Sequence, residues 1–333
     1  MAPVCAGSAR IRQGVLLALL LALFGGALLG HQFYEEAAIV RTHRTFQIMG
    51  TVANFTFYGS AEAGESAVAA ALRQFERIQQ MANLYDPRSE LSRLNRCAGE
   101  RAFVCSDELW LLLSEARQAY EFTGGAFDVT AKPLMDLWGF YRKRGNELPS
   151  SEEIVAARAR VGLDKVIFDE ETQSVHFTVP GMSFDLGGIA KGYAVDAAAE
   201  AVAALGVRRG VIDLGGNLRL LPEPPPGEGF YRVGIRNPAH RDELLPEVLE
   251  LRDASVSTSG DYERFVMIGG RRYGHIMDPA TGLPTDFDYS VTVIAPSAML
   301  ADWLSTGIFL RGAALAERAE REFPGVNVII TSP

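Results

Sequence analysis

FDLGGIAKGYAVD, residues 184–196, reads as the end of a strand, a Gly187-Gly188 turn and the start of a helix. The helix runs from Ile189 to Leu205, and Gly206 ends it. Upstream, Lys165–Phe168 and Val175–Val179 read as a hairpin, and Phe184–Leu186 closes a further strand. Downstream, strands are expected near 209–214, 230–235, 247–251, 264–268 and 289–295, then a helical stretch at 297–322 and a strand at 326–331. Nearer the N-terminus, 42–58 predicts a strand pair or one long bent strand, and 61–84 is alanine-rich with helical periodicity. Ser106 caps a helix over 106–123 that Gly124-Gly125 stops, and Ser150 with Glu153 forms a capping box for a short third helix. Strands and helices mix without regular βαβ alternation. The expected class is therefore α+β, with mixed or antiparallel sheets and flanking helices in a single large domain over 42–333. The proline-rich LPEPPPGEG at 221–229 reads as a surface loop.

The chain has 333 residues, 48% hydrophobic and 22% charged, an ordinary globular composition. A net charge of −9 and the lack of any basic stripe argue against nucleic-acid binding. A phosphate ligand would have to be held by a local site rather than by general attraction. At the N-terminus, Arg10 and Arg12 precede the apolar run Val15–Gly30. That order predicts an export signal or signal anchor over 1–30, followed by a short linker over 31–41. The body would then lie on the outer face of the cytoplasmic membrane. Of three cysteines, Cys97 and Cys105 are close in sequence, so a local disulfide is expected after export. No Cys/His spacing supports structural zinc.

The glycines before Ile189 leave a helix N-terminus free to receive a phosphate, and Lys191 is a cation in the first turn, where it opposes the helix dipole. A phosphate contact explains that choice, although a tight turn before an ordinary helix accounts for the pattern equally well in isolation. The spacing is neither GxGxxG nor GxxxxGK[ST]. Further glycine-punctuated segments are VIDLGGN at 211–217, STSGDY at 257–262 and GGAFDVT at 124–130, the last carrying Asp128. All are read as loops converging on one ligand. YGHIMDPATG at 273–282 holds His275, one of five histidines, three residues before Asp278. A histidine beside a phosphoryl group can serve as general acid or base.

In PSAMLADWLSTGIFLRG, 296–312, the residues Asp302, Ser305 and Thr306 share one face of an otherwise apolar helix. A buried lone carboxylate is costly. A Mg²⁺ ion bound there, with a substrate phosphate among its oxygen ligands, would offset that cost.

These segments together resemble the ApbE family of FAD:protein FMN transferases. The likeness runs in order through Met49–Thr51, LYDPRSELSRLN at 84–95, GGAFDVT, DLGGIAKGYAVD, DLGGN, STSGDY, HIMDPATG, VTVIAP and the helix holding Asp302 and Thr306. The resemblance implies Mg²⁺-dependent transfer of FMN from FAD to a Thr or Ser hydroxyl of target flavoproteins of membrane redox complexes, with release of AMP. It also implies that Met49, Tyr85, Ala126, Phe127 and Asp128 contact the nucleotide, joined by Gly188, Lys191 and Ile276. By the same resemblance Asp302 and Thr306 bind the metal through their side chains and Ala190 through its backbone oxygen. Ser305 stands where some members carry a second carboxylate. His275 takes part in phosphoryl transfer, and the sequence leaves open whether His275 or Asp278 takes the proton from the acceptor. An FAD pyrophosphatase and a non-catalytic exported FAD-binding protein are the alternative functions.

Overall fold

The computed structural model describes residues 39–141, 143–238, 240, 243–260 and 265–332. The expected signal over 1–30, its arginine flank, Cys5 and most of the 31–41 linker lie outside the described residues. Among the described residues no helix is long and apolar enough to cross a membrane.

A hairpin opens the fold. Strand β1 (Val40–Ile48) pairs with β2 (Thr51–Gly59) in unbroken antiparallel register, from Val40 opposite Gly59 to Ile48 opposite Thr51. The first strand thus begins two residues inside the expected linker. Helix α1 (Ala61–Ala82) follows, its first turn capped by the Ser60 side chain. Next come α2 (Glu90–Cys97), β3 (Phe103–Val104), α3 (Asp107–Phe122), α4 (Lys132–Leu137) and α5 (Ser151–Arg158). The capping box on α5 is formed as expected, with Ser150 and Glu153 bonding reciprocally. Strands β4 (Val166–Asp169) and β5 (Ser174–Phe177) make the expected hairpin, which β3 extends to three strands.

Phe184–Leu186 is extended but joins no strand ladder, a correction to the expectation. The Asn95 side chain takes the place of a neighbouring strand, accepting from Phe184 N–H at 2.7 Å and donating to Phe184 O at 2.9 Å. The Asp185 N–H reaches Val129 O at 2.7 Å. The segment then turns into α6 (Ala190–Ala203).

Strands β6 (Gly210–Leu214) and β7 (Asn217–Leu220) form a hairpin about Gly215-Gly216. Both glycines adopt positive φ, which side-chain-bearing residues resist. Strands β8 (Tyr231–Arg236) and β9 (Leu244–Leu251) form a separate ribbon. Strand β10 (Ala254–Gly260) corrects a second expectation: 257–260 is not a glycine loop. It is a central strand, paired with β7 on one side and with a later strand on the other. Its hydroxyl-rich sequence lacks the apolar alternation that marks a half-buried strand. After it come β11 (Phe265–Ile268), β12 (Arg271–Gly274), β13 (Met277–Asp278), β14 (Leu283–Pro284) and β15 (Ser290–Ala295). The expected helical stretch is two helices, α7 (Ala298–Arg311) and α8 (Ala313–Glu322), broken at Gly312, and β16 (Asn327–Thr331) closes the chain's described part.

The main sheet has seven strands in the order β1-β2-β6-β7-β10-β15-β16, every neighbouring pair antiparallel. The α+β class is as expected. Phe55, Phe57, Ile212, Leu214, Val291 and Val293 bury their side chains in one core with α1, α6 and α7. A second, smaller core gathers Leu134, Met135, Trp138, Ala157, Ile268 and Met277. The Trp138 indole N–H ties it to Gly282 O at 3.0 Å.

Cys97 and Cys105 are both unpaired, against the expected disulfide. Cys97 ends α2, whereas the Cys105 thiol is buried and directed at Phe103 O, 3.8 Å away. Burial pushes the Cys105 thiol up to about 12, so it is protonated and inert as a nucleophile.

Candidate active site

Between the two cores lies a cavity of about 790 Å³, within the range that holds a cofactor-sized ligand. Helices α6 and α7 build its polar floor. They approach closely because Gly192 has no side chain: a Cβ there would lie 2.4 Å from Ala298 O and 2.7 Å from the Met299 Cα. Asp196, one turn later, caps α7. Its carboxylate accepts the N–H groups of Ala298 at 2.8 Å and Met299 at 2.9 Å and the Ser297 hydroxyl at 2.7 Å. The sequence GYAVD therefore fixes where α7 starts, and with it where Asp302 and Thr306 point. Replacing Asp196 with Ala is expected to cost about 1–2 kcal/mol, as lost N-caps do, read as a lower urea midpoint at unchanged slope.

Asp302 is 4% exposed. It accepts the Gly192 N–H at 3.0 Å and lies 3.4 Å from the Lys191 ammonium, which also donates to Gly187 O at 2.7 Å. Burial pushes the Asp302 carboxyl upward; the Lys191 charge, the Gly192 N–H and the Asn217 amide pull it back. Thr306 lines the same cavity and donates to Asp302 O at 3.2 Å. At the start of α6, Ile189 provides no side-chain cap; the Ala190 N–H bonds to Leu186 O at 2.8 Å and the Gly192 N–H is held by the Asp302 carboxylate. Among the described residues no three His, Cys, Asp or Glu side chains cluster for a metal. The donors are instead one carboxylate with neutral oxygens, a set that suits Mg²⁺ completing its shell with water and phosphate.

Of the residues named from sequence, Met49, Tyr85, Ala126, Phe127, Asp128, Gly188, Ala190, Lys191, His275, Ile276, Asp302 and Thr306 all line this one cavity. Two do not. Ser305 is fully buried behind α7, its hydroxyl 2.8 Å from Ser259 Oγ and bonded to Asp302 O at 2.9 Å. It braces the helix against β10 rather than facing a ligand. Asp278 is tied into the turn after β13: its carboxylate accepts the Ala280 N–H at 3.1 Å and lies 3.8 Å from the Arg311 guanidinium. The shared-face pattern could not resolve Ser305 from Thr306, because the serine lies at i+3 and the threonine at i+4 from Asp302.

Met49 sits at φ 52°, at the tip of the first hairpin, with its N–H on Gln79 Oε1 at 2.6 Å. A non-glycine residue held there is strained backbone over-determined by its surroundings, and here it turns toward the cavity. Tyr85 is 68% exposed and packs against Tyr141, ring centroids 5.9 Å apart. Tyr141, Asp185, Asn217, Thr258 and Ser259 also line the cavity and were not singled out from sequence. Asn217 was visible there as the last residue of DLGGN.

Burial raises the Asp128 carboxyl to about 6, against bonds from Thr130 N–H at 2.8 Å and Oγ1 at 2.6 Å. Between about pH 4 and pH 6 the folded chain keeps a proton that the unfolded chain has lost. Stability therefore falls as pH rises through that window. Asp128→Asn removes this loss: relative to the parent, the ligand-free variant is expected to gain on the order of 2 kcal/mol between pH 4 and pH 7. Urea denaturation at the two pH values checks it.

The chain's residues 49–330 match the model of the ApbE family. A FAD:protein FMN transferase of Vibrio cholerae is 33% identical over 290 residues, covering 85% of this chain and 86% of that protein. The crystal structure of the ApbE protein from Thermotoga maritima superposes with a TM-score of 0.80 at 30% identity, covering 87% of this chain and 94% of that one. The flavin transferase ApbE from Vibrio cholerae gives 0.77 at 30% identity, over 88% and 93%. With the match spanning all of the antiparallel sheet but its first strand, and the cavity, the chain belongs to the ApbE family.

Proposed function

We propose that the chain is a transferase that moves the FMN part of FAD onto a Thr or Ser hydroxyl of a target protein and releases AMP. The observation that carries this reading is the convergence of Lys191, the start of α6, Asp302, Thr306 and His275 on one cavity large enough for FAD. Bound Mg²⁺, held by Asp302, Thr306 and the Ala190 backbone oxygen, would neutralise pyrophosphate oxygens as charge develops on them. The Lys191 ammonium and the positive end of the α6 dipole supply fixed positive potential beside the same oxygens. Met49, Tyr85, Ala126, Phe127 and Ile276 supply the contacts that hold the rest of the nucleotide. Gly188 lets Phe127 lie against the phosphate turn, since a Cβ at 188 would meet the Phe127 ring at 2.9 Å.

In the transfer, the acceptor oxygen attacks the phosphorus that carries FMN. A new P–O bond forms, the bridging P–O bond breaks, and AMP leaves with the bridging oxygen. The proton of the acceptor hydroxyl goes to a base. His275 suits that role because it lines the cavity, whereas Asp278 is engaged by Ala280 and Arg311. Little covalent work is asked of the protein, and positioning with charge neutralisation carries the rate.

The Arg10/Arg12 flank and the apolar run to Gly30 support an exported enzyme attached to the inner membrane through its N-terminus, acting on membrane redox flavoproteins from the periplasmic side. Recovery of the full-length protein in the cytosol on fractionation would contradict this placement. The activity is tested by incubating the protein with FAD and Mg²⁺, with and without a Thr-bearing target domain, and following AMP by chromatography. AMP release that needs the target supports transfer. Equal AMP and free FMN without the target would indicate a pyrophosphatase, and unchanged FAD a binding protein.

A further inference from the structure

We propose that Tyr141 and Asp185 form a positioning pair that sets where the Lys191 ammonium stands in the cavity. The proposal rests on the transferase reading, in which that ammonium lies beside the pyrophosphate. Both residues line the cavity. Lys191 has two polar partners. Its shorter contact, 2.7 Å, goes to Gly187 O; Asp302 lies farther off at 3.4 Å and also accepts the Gly192 N–H. The Gly187 carbonyl is thus the main anchor of the ammonium. The flexible stem makes such an anchor necessary, because a lysine loses much rotamer freedom when its charge is held in one place.

Gly187 cannot hold that carbonyl in place by packing, since it has no side chain and is exposed. Its N–H is instead bonded to Asp185 Oδ1 at 2.8 Å. The same residue therefore has its N–H held by Asp185 and its C=O held to Lys191. The other carboxylate oxygen, Asp185 Oδ2, accepts the Tyr141 hydroxyl. With both oxygens engaged by donors, the carboxylate is fixed in rotation. The Asp185 backbone is fixed as well, through its own N–H on Val129 O and through Asn95 on the preceding Phe184. Tyr141 packs against the smaller core, whereas Phe184 belongs to the larger one. The Tyr141 ring lies 5.9 Å from the Tyr85 ring and 5.0 Å from the Lys132 ammonium. Its hydroxyl thereby ties the smaller core to the glycine turn before α6. The run of bonds Tyr141–Asp185–Gly187–Lys191 ends on the charge that the transfer uses.

The test measures target-dependent AMP release against FAD concentration, with full-length protein, Mg²⁺ and a Thr-bearing target domain, and the melting temperature in parallel. Tyr141→Phe keeps the ring and drops only the hydroxyl. Its kcat is expected to fall about tenfold, the scale of a misplaced group, with KM for FAD within about threefold of the parent and the melting temperature near the parent's. Asp185→Ala frees both Tyr141 and the Gly187 N–H, and its kcat is expected to fall about a hundredfold. Asp185→Asn keeps an oxygen for the Gly187 N–H and offers an amide N–H that the Tyr141 oxygen can accept, so its kcat is expected to return to within about threefold of the parent. Lys191→Met supplies the arm that a purely structural role would not satisfy. Because the pair acts through the ammonium, adding Tyr141→Phe to Lys191→Met is expected to lower kcat by no more than about twofold further. Losses that multiply would overturn the proposal. So would an unchanged kcat in Tyr141→Phe, a loss confined to KM, or an Asp185→Asn protein no faster than Asp185→Ala. A parent protein that releases no target-dependent AMP would overturn the transferase reading and the pair with it; a parent and a Tyr141→Phe protein that transfer equally well would overturn the pair alone.

Discussion

Asp302→Ala slows flavin transfer by ~10³-fold, the scale expected when a charge-stabilising group is removed, while FAD binding weakens less than about tenfold, roughly one lost contact. The asymmetry follows from where each interaction is made. Bound FAD would draw on many residues lining the cavity, from Met49 at the hairpin tip to Ile276, and none of those contacts would need the cation. The carboxylate matters to charge that appears only as the phosphorus changes partners, so its loss falls on rate rather than on affinity. Thr306→Val shifts both quantities in the same direction but less, because water can replace a neutral hydroxyl ligand. FAD affinity by fluorescence beside the transfer rate, over a Mg²⁺ titration, measures the split. An Asp302→Ala protein with an intact rate and intact Mg²⁺ dependence would return α7 to the status of a core helix with one hydrogen-bonded carboxylate.

Gly192→Ala carries the second large effect, on stability. The new Cβ would press on Ala298 O at 2.4 Å and on the Met299 Cα at 2.7 Å, both backbone atoms that cannot rotate away. The helices α6 and α7 must separate, at a cost on the order of 3 kcal/mol and a melting temperature lower by roughly 5–10 °C. The same separation moves Ala190 away from Asp302, so Mg²⁺ dependence shifts to higher concentration. Gly99→Ala is the control, with open space around it and no positive φ. Near-parental stability in Gly192→Ala would contradict the close helix crossing.

What was legible in the sequence followed from local chemistry. Ser60, Ser106, Ser150 and Ser297 each cap the helix they precede; two of those helices were read at nearly their observed bounds, and the Ser150 capping box marked the start of a third. The first hairpin, the β4–β5 hairpin and the floor helices were likewise local in origin. What escaped depended on distant partners. Phe184–Leu186 has the look of a strand, but a side-chain amide from Asn95 pairs with it. Strand β10 hides behind a run of serines and threonines whose hydroxyls bond to neighbours far along the chain, Thr258 to Thr292 at 2.9 Å and Ser259 to Ser305 at 2.8 Å. The same network explains Ser305: its face of α7 meets β10, and the strand assignment was the missing piece. Asp278 was placed correctly near His275 in sequence, yet its carboxylate is engaged by Arg311 of another element. Asn217 stood in the sequence as the last residue of DLGGN, but its place in the cavity follows only once β7 is laid beside α7.

The most direct test of the transferase reading is the intact mass of a target domain after incubation with the enzyme, FAD and Mg²⁺. The predicted result is a gain of one FMN less one water on a single Thr or Ser, lost when that residue is changed to Val or Ala. An unmodified target beside FAD cleaved to FMN and AMP, or beside FAD recovered whole, would contradict it.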